Sequence, residues 1–315
     1  MILGIDISRH QGTVDFQTLA SQSGMRFCYC KASEGGDYED PNVATYWRGL
    51  LGTDIYRGLY HFARPDLRTG RSGGETEGRN FVRVAKDLGH TGQGMLPPML
   101  DFEKYSESDA NENIPWIDGW LHVVENELCR PAGIYTGANI WKYEVGNTDK
   151  YNTRTLWQVD YTDTRTKPKE IAEGDWAWTF WQYSGGGDFA YYGPVPGVNG
   201  VVDVNRFYGD ETDLRVLALS PSQVVPKPPS KGGDVMPWMD LGGSSGACSQ
   251  PVAMVQGLLL AAGYGPEGLV GSNGRPDGIA GPKTVAALQN FQRDYGLAER
   301  PVVDGGVWWT LLATK

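Results

Sequence analysis

Between Ile2 and Phe207 the chain repeats one pattern, a short apolar run followed by a longer amphipathic or irregular segment. The runs are ILGIDIS, FCYCKAS, YRGLYHFA, MLDFE, AGIYTG, TLWQVDY, WTFWQY and GVVDVNRF. Short runs rich in β-branched and aromatic residues, bounded by polar stretches, read as strands. Amphipathic segments at Val14–Ser23, Asn42–Leu51, Glu75–Leu88 and Pro115–Arg130 separate the first five runs. Asn113 and Pro115 read as the cap and first turn of the last of these. After the fifth run the helical signal weakens. Strand–helix alternation with eight strands predicts an α/β fold, a parallel barrel that is imperfect over its later connections.

A second feature cuts the chain in two. SPSQVVPKPPSKGGD, residues 220–234, is rich in Pro, Ser, Lys and Gly and predicts an extended linker. It separates a domain at 1–219 from one at 235–315. In the tail, Pro251–Gly263 and Pro282–Gly296 read as helices opened by proline and closed by glycine, and Trp308–Ala313 as a third, shorter one. PDGIAGPKT opens the second helix, and VVDGGVWWT, a shortened echo, opens the third. A small all-α bundle of three helices is predicted, with Val255, Leu258, Leu288 and Phe291 in its core.

Composition removes several classes of function. The 315 residues carry a formal net charge of −10, which argues against nucleic acid as a partner. No apolar run is long enough to cross a bilayer, so no membrane partner is expected. Cys28, Cys30, Cys129 and Cys248 show no C-x-x-C spacing, and His10, His61, His90 and His122 are scattered. Neither a metal site nor a cofactor is expected. Cys28 and Cys30 share one face of an apolar strand and read as reduced core thiols. Eleven Trp and sixteen Tyr are many rings for one chain, a weak pointer to sugar faces.

The stretch PPMLDFEKY places Asp101 and Glu103 two residues apart at a strand end, where alternation turns both to the same face. Like charges at close range raise the cost of ionising each other. In a parallel barrel the working residues sit at the C-terminal ends of the strands. Asp6 falls near the end of the first strand. Asp203 lies in the eighth, which neighbours the first in a closed barrel. The four carboxylates would then crowd one mouth. Acidic pairs without metal ligands suit glycoside hydrolysis, in which one carboxylic acid protonates the leaving oxygen while another group stabilises or attacks the sugar carbon.

With these residues in place, the chain resembles the glycoside hydrolase family 25 lysozymes, the Chalaropsis-type N-acetylmuramidases. The resemblance rests on GIDISRHQG, KASEG, GLYHFARP, MLDFE, GIYTG, WTFWQYS and VDVNRF, in that order, over about residues 1–210. It implies an irregular TIM-like barrel of five β/α units followed by three strands. It further implies Glu103 as general acid, Asp101 as its partner, positioning the substrate's N-acetyl group or stabilising charge, and Asp6 and Asp203 as the other active-site carboxylates. Tyr60, Tyr135, Lys31 and Glu34 would line or adjoin the substrate groove, with Trp181 a further candidate for sugar contact. For Tyr60, Tyr135 and Trp181, packing within the barrel is an equal alternative. His61 reads as a packed, hydrogen-bonded histidine. The tail resembles the three-helix peptidoglycan-binding domain of cell-wall hydrolases, through LGGSSGACSQPVAMVQGLLLAAGY and PDGIAGPKTVAALQNFQRDYGL. VVDGGVWWTLL departs from that pattern, and GPEGLVGSNGR lengthens the first connection.

The expectation is an enzyme cutting the β-1,4 bond between N-acetylmuramic acid and N-acetylglucosamine, acting as a monomer on bacterial peptidoglycan. MILGIDIS has no signal-peptide pattern. With a wall-binding tail, that predicts a phage endolysin made in the host cytoplasm and released to the wall. Two other readings compete: a chitinase-like glycosidase, disfavoured because D-x-x-D-x-D-x-E is absent, and a non-catalytic glycan-binding barrel, disfavoured by the four acids.

Overall fold

The computed structural model describes residues 1–90, 95–105, 109–128, 130–172, 176–219, 239–240, 250–265, 269–270, 276–279, 281–297, 299–303, 307 and 311. The expected linker at 220–234, Cys129, Cys248 and most of the third tail helix lie outside the described residues. The chain divides into two compact units, Met1–Ser220 and Pro221–Lys315.

In the first unit the strands are β1 (Ile2–Ile7), β2 (Phe27–Glu34), β3 (Tyr38–Glu39), β4 (Tyr56–Phe62), β5 (Met99–Asp101), β6 (Gly133–Gly137), β7 (Leu156–Val159), β8 (Trp178–Ser184) and β9 (Asp203–Phe207). The sheet runs β1-β9-β8-β7-β6-β5-β4-β2-β3, and β1 also pairs with β2, which closes the barrel. The two-residue β3 is an appendage on β2. Helices α1 (Phe16–Gln22), α2 (Val43–Leu51), α3 (Gly70–Asp87), α4 (Ala110–Leu128) and α5 (Ala138–Glu144) follow the first five barrel strands, and α6 (Glu211–Leu219) follows β9. Five β/α units and three further strands therefore make the barrel.

The last strand departs from a wholly parallel barrel. β9 is antiparallel to both β1 and β8. Between β8 and β9 the chain forms only a short 3-10 helix at Gly187–Phe189, with no α-helix to carry a crossover, and it returns antiparallel.

Alternation along each strand sorts the side chains. Phe27, Tyr29, Tyr60, Met99, Tyr135, Trp157, Phe180 and Phe207 fill the barrel. Ile5, Ile7, Cys28, Cys30, Leu59, Leu100, Phe102, Ile134 and Trp181 face outward to the helices. Cys28 and Cys30 are buried and free. Three lumen-facing glycines make room for the interior rings and thioether. A Cβ on Gly4 would stand 2.4 Å from the Phe27 ring, on Gly58 2.3 Å from Tyr29, and on Gly133 2.6 Å from the Met99 sulfur. This explains why GIDIS, GLYHF and GIYTG each begin with glycine.

Two helix boundaries differ from the sequence expectation. α4 begins at Ala110, so Pro115 lies inside it. The cap is Asp109, whose carboxylate accepts from the Asn111 backbone N–H at 2.8 Å. Asn113 instead donates its amide to the Glu144 carbonyl at 2.9 Å. α3 begins at Gly70 rather than Glu75 and takes in Gly73, Gly74 and Gly78. Glycine disfavours helix by about 1 kcal/mol per residue, which hid this turn. Here it permits contact, because a Cβ on Gly74 would sit 1.9 Å from the Trp116 carbonyl oxygen of α4. α3 and α4 thus pack backbone to backbone behind β4 and β5.

In the second unit, α7 (Gln250–Ala261) and α8 (Pro282–Asp294) pack around Val252, Val255, Leu259, Leu288 and Phe291, joined by Val307 and Leu311. Leu258 is only partly buried against this core. The short strands β10 (Met239–Asp240) and β11 (Val302–Val303) pair antiparallel, an addition to the expected all-helical bundle. Gln256 is fully buried and fixes the D-G turn, donating to Asp277 at 2.8 Å and accepting from the Gly278 N–H at 2.9 Å.

Gly74→Ala must push α3 away from α4, and is expected to cost about 3 kcal/mol. Chemical denaturation of wild type and variant checks this. Unchanged stability would show that the helices part without loss.

Candidate active site

Lumen-facing positions near one end of the barrel carry acids. Asp6 on β1 and Asp203 on β9 are paired directly opposite each other. Asp203 is the first residue of its strand, and only the antiparallel direction of β9 brings it to the end where Asp6 lies. Asp101 closes β5 and pairs with Phe62 on one side and Tyr135 on the other. Glu103 follows just beyond the strand on the same face, while Leu100 and Phe102 point away into the outer core. Asp6 and Asp101 are buried, whereas Glu103 and Asp203 are partly open to solvent.

Burial acts on all four carboxyls. It pushes Asp6 and Asp101 well above the usual carboxylate range, with the charge of Asp203 adding to Asp6 and that of Glu103 adding to Asp101. Asp101 Oδ1 is sealed from solvent and accepts no hydrogen bond from the protein, so ionising it is costly. Burial also raises Glu103, offset by a hydrogen bond from Tyr135 and reinforced by the charge of Asp203. Asp203 itself is pushed up by burial to about 6. Asp101 and Glu103 repel each other, as their spacing predicts, and the charge of Asp203 adds to Glu103. Asp101 is not simply an ionised partner, since protons are held across the cluster and its titration belongs to the group.

A chain of hydrogen bonds crosses the barrel. Gln182 Nε2 and Asn205 Nδ2 donate to Asp6 Oδ2 at 2.9 and 2.7 Å. Trp157 Nε1 donates to Asn205 Oδ1 at 2.7 Å. The Tyr135 hydroxyl lies 2.9 Å from Gln182 Oε1 and 3.3 Å from Glu103 Oε2. Tyr161 reaches the same Gln182 oxygen at 3.0 Å.

Tyr60 and Tyr135 stand edge-on to the Trp157 ring at centroid distances of 6.1 and 4.9 Å. Both are buried among the carboxylates, which combine with burial to raise their hydroxyl pKa values. Lys31 is on β2 with Nζ 2.6 Å from Glu34, and its charge lowers both Asp101 and Glu103. Burial pushes Glu34 up, but its bonds to Lys31 and Arg64 outweigh this and hold it below the usual range. Lys31 and Glu34, with Ser8, Tyr38, Asp40 and Arg64, line an adjoining cavity of about 270 Å³. The four acids do not line it.

Trp181 is a correction. It is fully buried on the outer face of β8, between Trp178 and Tyr183, and its indole donates to the Asp160 carbonyl at 2.9 Å. Alternation places its neighbour Gln182 in the lumen instead. Gln182, Tyr161, Asn205 and Trp157 are the site-facing residues that sequence reasoning missed. The signal was available for two of them, since Gln182 follows Phe180, and Asn205 follows Asp203, at the two-residue spacing of one strand face. His61 is sealed behind β4. Its ring lies 2.8 Å from Ser33 Oγ and 2.9 Å from Glu77, an order resembling a hydrolytic triad but with no access to substrate.

The family model for glycosyl hydrolases family 25 matches residues 5–191. The chain belongs to that family. It is accordingly a glycoside hydrolase of the lysozyme class, and residues 248–308 match the model of a peptidoglycan binding domain. Lysozyme M1 of Streptomyces globisporus is 30% identical over 224 residues, 69% of this chain and 71% of the relative. The N,O-diacetylmuramidase of Chalaropsis sp is 31% identical, over 64% of this chain and 96% of its own. Among solved structures, the bacterial lysozyme from Streptomyces coelicolor superposes with a TM-score of 0.59 at 28% identity, covering 69% of this chain and 96% of that one.

The raised Asp203 opposes folding above its unfolded pKa. Between an unfolded value of 3.8 and a folded value of about 6, the folded state binds more protons, so stability falls as pH rises through this window. Asp203→Asn should therefore gain about 1–3 kcal/mol of stability at pH 7.5 and little at pH 3. Denaturant titrations at both pH values test this. A loss at pH 7.5 would show that the carboxylate is stabilised by its surroundings.

Proposed function

We propose that this enzyme hydrolyses the β-1,4 bond between N-acetylmuramic acid and N-acetylglucosamine in bacterial peptidoglycan, with Glu103 as proton donor. The observation that supports it is the position of Glu103. Of the adjacent acids on the β5 segment, it is the partly open one, while Asp101 is buried beneath it. Burial and the charge of Asp203 favour its protonated form. A carboxylic acid so placed reaches the glycosidic oxygen and donates as the bond breaks. The sugar carbon then develops positive charge, which the ionised members of the cluster stabilise. Asp101 is assigned to the N-acetyl group or to this charge, and Asp6 and Asp203 to the opposite side of the mouth.

Glu103→Gln keeps shape and polarity but has no proton to give. It should lower turnover on the order of a hundredfold or more, with substrate binding largely kept. Digestion of purified walls by wild type should expose new N-acetylmuramic acid reducing ends. New N-acetylglucosamine ends would overturn the bond assignment, and a well-folded Glu103→Gln enzyme of normal turnover would overturn the role of Glu103.

The tail is assigned to wall binding. Removing residues 235–315 should weaken pelleting with whole walls while leaving cleavage of soluble muropeptide oligomers. Equal pelleting with and without the tail would remove that assignment.

A further inference from the structure

We propose that Gln182 is a positioning residue, holding the Tyr135 hydroxyl so that it accepts a hydrogen bond from protonated Glu103. The inference rests on the reading of Glu103 as proton donor.

The argument begins at Trp157. An indole N–H can only donate, so the Asn205 oxygen must face it, and the Asn205 amide must face Asp6. Asp6 Oδ2 also receives Gln182 Nε2 at 2.9 Å. With both amides donating to Asp6 Oδ2, any proton on Asp6 rests on Oδ1, and the Gln182 oxygen is turned the other way, toward Tyr135 and Tyr161 at 2.9 and 3.0 Å. Gln182 is buried, and its orientation is thereby set from across the barrel.

Tyr135 has one hydroxyl hydrogen and two acceptors in reach, Gln182 Oε1 at 2.9 Å and Glu103 Oε2 at 3.3 Å. While the hydrogen points to Gln182, the hydroxyl oxygen offers Glu103 a lone pair, and that contact is a hydrogen bond only if Glu103 carries the proton. When Glu103 gives its proton away, the Tyr135 hydrogen can swing to the new carboxylate. Gln182 and Glu103 thus compete for one hydrogen, and Gln182 biases the resting enzyme toward the protonated acid. No covalent step is added, only a rotation of one hydroxyl.

Opposite signs follow. Gln182→Met keeps length but removes the competing acceptor, so Tyr135 donates to Glu103 throughout and the proton leaves at lower pH. Tyr135→Phe removes the donor to the carboxylate, so the proton leaves at higher pH. The double variant should follow Tyr135→Phe. Around Glu103, the titratable and charged groups are Asp101 on β5, Lys31 on β2, Asp6 on β1, Tyr60 on β4, Asp203 on β9 and Tyr161 after β7. Glu34 is tied to Lys31. All are retained in these variants. Loss of the Gln182 amide also weakens ionisation of Asp6, which lessens repulsion at Glu103 and acts in the same downward direction as Gln182→Met.

The test follows the Glu103 side-chain carboxyl carbon against pH by carbon-13 NMR, assigned with Glu103→Gln, beside the pH dependence of kcat. The expected result is a midpoint moved by about half a pH unit or more, down in Gln182→Met and up in Tyr135→Phe, with the upper limb of kcat moving likewise. Should Gln182→Met fail to fold, Tyr161→Phe replaces it. Removing the second donor to Gln182 Oε1 strengthens its hold on Tyr135 and should move the midpoint up. Midpoints of Gln182→Met and Tyr135→Phe that move in the same direction, a Tyr161→Phe midpoint that falls or stays fixed, or midpoints that stay fixed while kcat falls at every pH, would overturn the proposal. Opposite midpoints with unmoved kcat limbs would instead sink the role of Glu103 as donor.

Discussion

β1 is hydrogen-bonded on both edges, parallel to β2 and antiparallel to β9, and the second pairing sets Asp203 directly against Asp6. Without it the sheet would be open and its acids spread along an edge. With it, strands from both ends of the catalytic unit converge, and residues about two hundred positions apart share one carboxylate oxygen through Asn205 and Asp6. Closure also seals the lumen, which gives burial its dominant effect on every acid in the cluster.

That burial works against folding and for chemistry. Burial raises all four carboxyls, neighbouring acids add to Asp6, Asp101 and Glu103, and the cluster is stabilised only in part by the Gln182 and Asn205 amides and the Lys31 charge. A cluster whose protons are held above the ordinary carboxylate range is what a general acid working near neutral pH needs. The rigid frame beneath it comes from rings and glycines together. Phe27, Tyr29 and Met99 fill the space that Gly4, Gly58 and Gly133 leave.

Much of this was legible in advance, for identifiable reasons. Alternating short apolar and amphipathic segments mark strands and helices, because each element must present one apolar face, and that pattern is local. Asp101 and Glu103 could be assigned to one face because strand geometry has a period of two. The same rule, applied to WTFWQY, would have exchanged Trp181 for Gln182. Ring content favoured the tryptophan, but the alternation decided otherwise. The start of α3 was hidden because its glycines are poor helix formers, and their value lies in contact with Trp116 on another helix.

The sequence by itself determined the eight barrel strands, the acids at the strand ends and the family, since each is written in local composition, spacing or ordered motifs. The direction of β9, the depth of burial of the four acids, and the path from Trp157 through Asn205, Asp6 and Gln182 to Tyr135 were decided only by the tertiary structure. Strand direction depends on how the sheet closes. Burial depends on which side chains fill the lumen. The orientation of an amide depends on a donor far along the chain. None of these is a property of neighbouring residues, so no local pattern could carry them.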